Sequence, residues 1–251
     1  MPAVNEVDDL ARQRAATLRF WRDDVSVRPG GEWSDLGGVQ VHTTGLAPRH
    51  WNGAFVTEPV DLGPLVPRIA SWFAERDKPW GLLIPAELEM TPPRLRHVND
   101  QRVMLLRLDS LGESLVDAPL DLTARADAPA VDVARVQSEA FEDAYDVTLE
   151  FVTPTVGPGA APPQETWTAY DDAEAVGCAT VAMTDCVAGI YGVAVRNAFR
   201  RRGLGAGLTA LCLQRARGAG CDLAYLNPSD LGYGVYASLG FVDALPMRIW
   251  V

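Results

Sequence analysis

An arginine- and glycine-rich turn between a predicted strand and a predicted helix is the segment best suited to chemistry. It follows Val193–Val195 and consists of Arg200–Arg202, then Gly203 and Gly205. The first N–H groups of a helix have no acceptor within the helix, and the helix dipole adds positive charge, so such a turn attracts anions. Arginine donors suit phosphate, and glycine lets a phosphate approach the backbone where a Cβ would block it. We therefore predict a phosphate site here.

Two common phosphate motifs do not fit this turn. A mononucleotide P-loop requires Gly-Lys-Ser/Thr, which does not follow. The dinucleotide fingerprint belongs after the first strand of a β-α-β unit, whereas this turn follows three strands predicted to be antiparallel. A merely solvated basic turn is disfavoured by the spacing of Gly203 and Gly205 and by the acidic remainder of the chain.

The charge distribution narrows the choice of partner. The formal net charge is −11, yet the segment from Ile190 to Val251 holds seven arginines against three aspartates. The overall charge argues against binding nucleic acid or an anionic membrane surface as the main function. The local excess of arginine leaves room for one small polyanion.

The sequence favours a cytoplasmic protein without a metal site, as its cysteines, its histidines and its N-terminal segment indicate. No Cys-x-x-Cys pair, signal peptide or membrane-spanning run is found, and the cysteines are expected to be free thiols. The histidines are expected to be structural. These residues are Cys178, Cys186, Cys212, Cys221, His42, His50 and His97.

Hydrophobic spacing predicts the elements that would position the turn. Before residue 118 we predict helices at 7–21 and 61–76, the second with Asp61 as N-cap, and strands at 39–43, 54–57, 80–84 and 102–108. After it we predict strands at 120–124, 166–170, 175–183, 188–195, 224–227 and 248–251, helices at 131–141, 203–217 and 233–239, and a loop at 153–163. This order indicates an α/β (α+β) protein.

The segment Arg200-x-x-Gly203-x-Gly205 resembles the pyrophosphate-binding motif of the GNAT N-acetyltransferase superfamily. A second match lies downstream, where 226–241 resembles the family's strand–helix segment ending in Tyr-x-x-x-Gly-Phe, here Tyr236 to Phe241. The resemblance implies the GNAT fold, a mixed and mostly antiparallel sheet flanked by helices. It also implies acetyl-CoA as co-substrate.

The resemblance assigns roles to individual residues. The strand of Val193 and Val195 would bind the pantetheine arm through its backbone and splay away from the strand of Leu226. Tyr236 would be the general acid that protonates the departing thiolate, and the Val195 N–H would stabilise the oxyanion. The remaining residues implied to bind the cofactor are Arg200, Arg201, Arg202, Gly203, Leu204, Gly205, Ala206, Asn227 and Ser229.

The general base cannot be chosen from the sequence. Glu139, Glu165, Asp171 and Tyr191 are all candidates, and a water chain is an alternative. Asn197 stands where the family often has proline.

The first half is similar to the degenerate N-terminal half of tandem GNAT proteins, through its strand–helix–strand pattern. We predict a degenerate GNAT-like domain at 1–117, forming one wall of the acceptor pocket, and an acetyl-CoA-binding GNAT domain at 118–251.

The expected activity is transfer of acetyl from acetyl-CoA to the amine of a small molecule or amino-acid derivative. Transfer of a longer acyl group, acetylation of a protein or peptide amine, and a non-catalytic CoA-binding regulatory module are alternatives. Nucleic acid and membranes are not expected partners, and a homodimer is left open.

Overall fold

The computed structural model describes residues 6–110, 122–157 and 164–251. Its helices are α1 (Glu6–Ser26), α2 (Leu62–Ala74), α3 (Ala130–Phe141), α4 (Tyr145–Val152), α5 (Leu204–Gly218) and α6 (Tyr233–Ser238). Its strands are β1 (Glu32–Asp35), β2 (Val39–Thr43), β3 (Asn52–Val56), β4 (Gly81–Pro85), β5 (His97–Arg107), β6 (Thr123–Arg125), β7 (Gln164–Asp171), β8 (Glu174–Thr184), β9 (Val187–Val195), β10 (Leu223–Leu226) and β11 (Val242–Trp250).

Most predicted elements are confirmed within a few residues. The N-cap of α2 is Asp61 as predicted, and its side chain accepts the N–H of Gly63 at 2.9 Å. The short elements β1 and α4 were not predicted. Strand β1 has no hydrophobic period, and in α4 the apolar Tyr145, Val147, Leu149 and Phe151 alternate with polar residues as in a strand. Residues 120–121 of the predicted strand and 158–163 of the predicted loop lie outside the described residues.

The chain folds as two compact units, each assembled from two separate stretches. The larger unit comprises the described residues of Met1–Thr17 and Met104–Asp243, and the smaller one those of Leu18–Val103 and Ala244–Val251. This division differs from the predicted boundary between residues 117 and 118, because strand pairing places Met104–Arg107 in the larger unit and Met247–Trp250 in the smaller one.

The sheet of the larger unit runs in the order β5, β10, β9, β8, β7, β6. All neighbouring strands are antiparallel except β9 and β10, which are parallel and joined by α5. Residues Met104–Arg107 of β5 pair with β10. The sheet therefore has one parallel pair, which a helical crossover is needed to connect.

Both faces of this sheet are covered. On one face Ala188, Ile190 and Leu226 pack with Leu208 of α5 in a continuous buried cluster. On the other face Ala194 belongs to a second cluster, which also holds buried side chains of α3 and α4. Each strand thus contributes alternate side chains to two cores, which fixes the register of β9.

The smaller unit contains β1–β4 and residues Met247–Trp250 of β11, which pair with β4. Strands β3 and β4 are parallel and joined by α2, whose apolar face packs on them. This strand–helix–strand arrangement matches that of β9, α5 and β10. The half that lacks the arginine-rich turn therefore carries the same supersecondary unit, as its sequence pattern predicts.

Candidate active site

Strands β9 and β10 separate partway along their length. Their parallel ladder joins Leu223 to Val187 and ends where Tyr225 lies opposite Gly189. Strand β9 continues past this point to Val195. The predicted splay is therefore present, and we call the opening between the diverging strands the fork.

A bulge in β9 shapes one side of the fork. Gly192 has φ +56°, and the register with β8 shifts between Cys178 and Thr180. The extra residue keeps Tyr191 and Ala194 on the same face of the sheet, although residues three positions apart in a regular strand point to opposite faces. The positive φ favours glycine at this position, and a Cβ on Gly192 would also displace the Gln137 side chain, whose Nε2 would lie 2.7 Å away.

The main chain of Val195 points into the opening. The N–H of Arg196 donates to the carbonyl oxygen of Val176 at 3.0 Å, so these two residues form a hydrogen-bonded pair of the antiparallel ladder. Val195 and Gly177 form the adjacent pair, which is not hydrogen-bonded. The N–H and carbonyl of Val195 therefore face away from β8. This is the orientation that an oxyanion donor or a pantetheine partner at this position requires.

The arginine-rich turn ends in an uncapped helix start. Arg201 and Gly203 both have positive φ, at 62° and 79°, and α5 begins at Leu204 with no side chain capping it. The first bond into the helix runs from the N–H of Gly207 to the carbonyl of Gly203 at 2.9 Å. The N–H groups of the first turn are thereby left directed out of the helix.

A cavity of about 620 Å³ joins the fork to this turn. Such a volume is typical of small-molecule sites. Of the predicted site residues, the wall contains Val193, Val195, Arg200, Arg201, Gly203, Leu204, Gly205, Ala206, Ser229 and Tyr236. Arg202 and Asn227 are not on it. The guanidinium carbon of Arg202 instead lies 5.1 Å from the ring centroid of Phe199.

Arg200 holds the cavity wall together. Its Nε donates to the carbonyl oxygen of Val195 at 3.1 Å, and its Nη2 donates to the carbonyl of Ala140 at the end of α3, also at 3.1 Å. Two of its donors are thus committed to the protein. The exposed side chain of Arg201 also lines the cavity.

Two exposed apolar residues of the cavity wall, Phe141 and Leu231, were not identified from the sequence. Phe141 and Leu231 line the cavity and are exposed by 49% and 76%. Phe141 continues the spacing of four residues that joins the buried Val133 and Gln137, which by itself would place it on the buried face of α3. The helix ends there because Glu142 adopts a left-handed conformation, so the ring faces the cavity instead of the core. An exposed aromatic at the end of a helix, one turn past the buried stripe, is the signal that could have revealed it.

Tyr236 lies on the cavity wall and packs against the cluster that contains Leu226. Its ring meets that of Phe241 edge-on, with centroids 6.1 Å apart. Burial raises the pKa of Tyr236 to about 12. The phenol therefore keeps its proton throughout the neutral range and is available as a donor.

The candidate bases Glu139 and Glu165 are engaged elsewhere. Glu139 pairs with Nε of Arg196 at 2.6 Å and accepts the N–H of Asn197 at 2.9 Å, and these bonds lower its pKa. Glu165 binds Arg215 of α5 through both oxygens. The first stabilises the entrance to the turn and the second ties a helix to the sheet. The lowered pKa makes Glu139 a poor proton acceptor.

The other two candidates are also outside the cavity wall. Asp171 ends β7 opposite Glu174, whose carboxylate binds Arg196 at the end of β9. Tyr191 lies at the fork and bonds to Tyr225.

The turn is shaped to admit a bulky anion. A Cβ at Gly205 would meet only Cγ2 of Val195, at 4.0 Å, and a Cβ at Gly203 would meet nothing within 4 Å. Packing within the protein therefore does not explain why Gly205 lacks a side chain. Open space above uncapped N–H groups, with Arg201 beside it, fits a pyrophosphate.

Comparison with known proteins agrees with this geometry. Residues 131–241 match the sequence model of the Acetyltransferase (GNAT) family. This part of the chain is therefore similar to a GNAT acetyltransferase domain. No curated protein matches the sequence at a significant level.

Solved structures show the GNAT fold beyond the matched residues. A GCN5-related N-acetyltransferase from Kribbella flavida superposes with a TM-score of 0.69 at 20% identity, covering 94% of this chain and 93% of its own. One from Sphaerobacter thermophilus gives 0.58 at 18% identity, covering 86% and 81%. A tandem GNAT protein from the clavulanic acid biosynthesis pathway gives 0.56 at 14% identity, covering 99% and 95%. The fold is thus that of two GNAT-like halves.

Other site types find no support in the described part of the chain. No group of three potential metal-binding side chains converges among the described residues. No described helix is long and apolar enough to span a membrane. The cysteines are free, and burial raises the pKa of the Cys178 thiol to about 12, so it is an inert core thiol.

Proposed function

We propose that this protein transfers the acetyl group of acetyl-CoA directly to the amine of a small molecule or amino-acid derivative. The observation that carries the proposal is one cavity that joins a strand fork, an uncapped helix start rich in arginine and glycine, and a protonated tyrosine. The match of residues 131–241 to an acetyltransferase family supports acetyl transfer in general. The donor and the class of acceptor are our inference.

Acetyl-CoA would bind along the cavity from the turn to the fork. The N–H groups of Leu204, Gly205 and Ala206 and the side chain of Arg201 would hold the pyrophosphate. The main chain of Val193 would bind a pantetheine amide, and Val195 would contact the cofactor through its N–H, because its carbonyl oxygen accepts from Arg200. Phe141 and Leu231 would cover the apolar parts of the pantetheine arm. Asn227 and Ser229 remain proposed contacts at the mouth of the fork.

The thioester supplies an activated acetyl group, so the protein need only orient the reactants and manage charge. The amine nitrogen bonds to the carbonyl carbon as the carbon–sulfur bond breaks, and the amine proton passes to water. The Val195 N–H faces the developing oxyanion. Tyr236 donates its proton to the departing thiolate.

The matching position in the smaller unit is closed to phosphate. There the helix start of α2 is capped by Asp61, whose carboxylate accepts the Gly63 N–H at 2.9 Å, and Glu58 lies in the preceding loop. The Asp61 carboxylate accepts the hydrogen bond from the Gly63 N–H that an anion would need, and its negative charge repels the anion. We therefore propose that each chain binds a single acetyl-CoA.

A cytoplasmic location is part of the proposal. The described cysteines are free, which suits a reducing compartment, and Cys186 is exposed.

The proposal is tested in two stages. Calorimetry and thermal unfolding with CoA and acetyl-CoA should show binding and a raised Tm. Release of free CoA thiol is then followed with a panel of primary amines: amino sugars, polyamines, amino acids and short peptides. No binding of either thioester or thiol would refute the proposal. Turnover of peptides alone would favour a protein acceptor over a small molecule.

A further inference from the structure

A pair of tyrosines marks the point where β9 and β10 separate. The hydroxyls of Tyr191 and Tyr225 are hydrogen-bonded, and their rings meet edge-on with centroids 5.9 Å apart. Tyr225 is the last β10 residue in the ladder, opposite Gly189. A Cβ at Gly189 would lie 2.7 Å from the Tyr191 hydroxyl. The absent side chain therefore gives the Tyr191 phenol its place at the apex of the fork.

The pair lies on the face of the sheet opposite Tyr236. Ile190 and Leu226 point into the cluster on the α5 side, against which Tyr236 packs. Because successive side chains of a strand point to opposite faces, Tyr191 and Tyr225 project to the other side. A reactant at the fork would thus have one phenol on the side of the leaving thiol and another on the opposite side, from which a nucleophile can approach.

A hydrogen-bonded chain behind the pair fixes its direction. Thr17 of α1 donates its hydroxyl proton to the Gln13 carbonyl at 3.0 Å and accepts from Nε2 of Gln13 at 2.8 Å. Tyr225, buried and bonded to Thr17, keeps its proton because burial raises its pKa to about 12. With its own proton on the carbonyl, Thr17 accepts from Tyr225, and Tyr225 in turn accepts from Tyr191.

This direction decides what Tyr191 can do. A phenol has one proton to donate and lone pairs to accept with, and here the proton is committed to Tyr225. The chain ends on a carbonyl oxygen, which does not take up a proton. It therefore fixes an acceptor in place and does not conduct protons away.

We infer that Tyr191 positions the acceptor amine by accepting a hydrogen bond from its N–H, with Tyr225 and Thr17 holding the phenol in the required direction. The inference rests on the proposed acetyl transfer and assigns the acceptor to the face of the fork opposite Tyr236. The ion pairs of Glu139 and Glu165 leave the amine proton to solvent.

The test uses the full-length protein and the panel amine with the highest turnover. Tyr191→Phe removes the acceptor oxygen, and Tyr225→Phe leaves it without its partner. We expect KM for the amine to rise about tenfold or more in Tyr191→Phe, the effect of one lost hydrogen bond to a charged donor. The rise should be smaller in Tyr225→Phe and in Thr17→Val, and the Kd for CoA should be unchanged in all three.

A matched control separates positioning from general loss of a tyrosine hydroxyl. Tyr170 lies on β7, which β8 separates from β9, and its hydroxyl donates to Asp132 of α3 at 2.8 Å, so Tyr170→Phe should leave KM for the amine unchanged. An unchanged KM in Tyr191→Phe would overturn the inference. So would loss of a titrating limb from its pH profile, which would make Tyr191 a base. If wild-type protein acetylates no amine, the proposed function and the inference fail together; if it does, the inference is judged alone.

Discussion

The Nε of Arg200 donates a hydrogen bond to the carbonyl oxygen of Val195 over 3.1 Å, which ties the arginine-rich turn back to the strand before it. The same guanidinium reaches the end of α3 at Ala140. The first arginine of the motif thus braces three elements around the cavity. The resemblance alone assigns it only to the pyrophosphate.

Replacing Arg200 should therefore affect the empty protein. Arg200→Ala removes two partly buried hydrogen bonds and should lower the free energy of unfolding by about 2 kcal/mol. The Kd for CoA should also rise about tenfold, because the end of β9 is no longer held. Denaturant unfolding and calorimetry measure both. Arg202→Ala, at an exposed position, is the control and should leave stability within about 0.5 kcal/mol. Equal stability of the two variants would contradict the bracing role.

Tyr236→Phe should separate catalysis from binding. Loss of the general acid should lower kcat about a hundredfold with little change in the Kd for CoA. A weakened Kd with unchanged kcat would refute the assignment.

The pH dependence of Tyr236 follows from its raised pKa. The folded pKa of about 12 exceeds the ordinary value of 10, so the phenol stays protonated below pH 10 and loses its proton only as pH approaches 12. We therefore expect the rate to rise as the amine deprotonates, with no falling limb from Tyr236 below about pH 11. Stability contributed by the protonated phenol is likewise complete below pH 10 and lost on passing 12. A descending limb near pH 8 that disappears in Tyr236→Phe would contradict this.

Gly205 should be required for the ligand and not for the fold. A side chain there enters open space in the empty protein, so Gly205→Val should fold normally yet raise the Kd for CoA about a hundredfold. Gly218→Val, at the other end of α5, is the matched control and should bind as wild type. Pantetheine lacks the pyrophosphate of CoA. If Gly205→Val weakens the binding of pantetheine as much as that of CoA, the valine does not act at the pyrophosphate.

Binding stoichiometry should be one CoA per chain. Calorimetry should give one site, and Asp61→Asn should leave the Kd unchanged, because the acidic cap closes only the smaller unit. Two sites would show that the strand–helix–strand of that unit also binds.

Residues 118–251 should not form a stable protein by themselves. They lack Met104–Arg107, which pair with β10, and leave Met247–Trp250 without β4. We expect the fragment to show no cooperative unfolding and no CoA binding, and co-expression with 1–117 to restore both. Full binding by the fragment alone would show that the boundary at residue 117 was right.

Local patterns were sufficient for the elements that hold the cofactor site. Helix α5, strand β9 and the glycine turn between them follow from adjacent residues, and so does the cap at Asp61. These features depend on the hydrophobic period of adjacent residues and on the backbone freedom of glycine, and both can be read directly from the sequence.

Long-range relationships were not accessible in this way. Tyr191 and Tyr225 are 34 residues apart, and their contact depends on parallel pairing and on the bulge at Gly192. The ion pair that removes Glu139 from consideration spans 57 residues to Arg196. Strand register determines which residues become partners across the sheet, and the hydrophobic pattern of a single segment does not indicate that register.

The pairing of Met247–Trp250 with β4 has a consequence for synthesis on the ribosome. The smaller unit is made largely from early residues, yet the edge of β4 remains uncovered until the last strand has emerged. During translation β4 is an unpaired edge strand until β11 has been made, and an exposed apolar edge favours chaperone binding and aggregation. Conversely, a premature stop before Ala244 would spare the cofactor unit and leave the earlier-made unit incomplete.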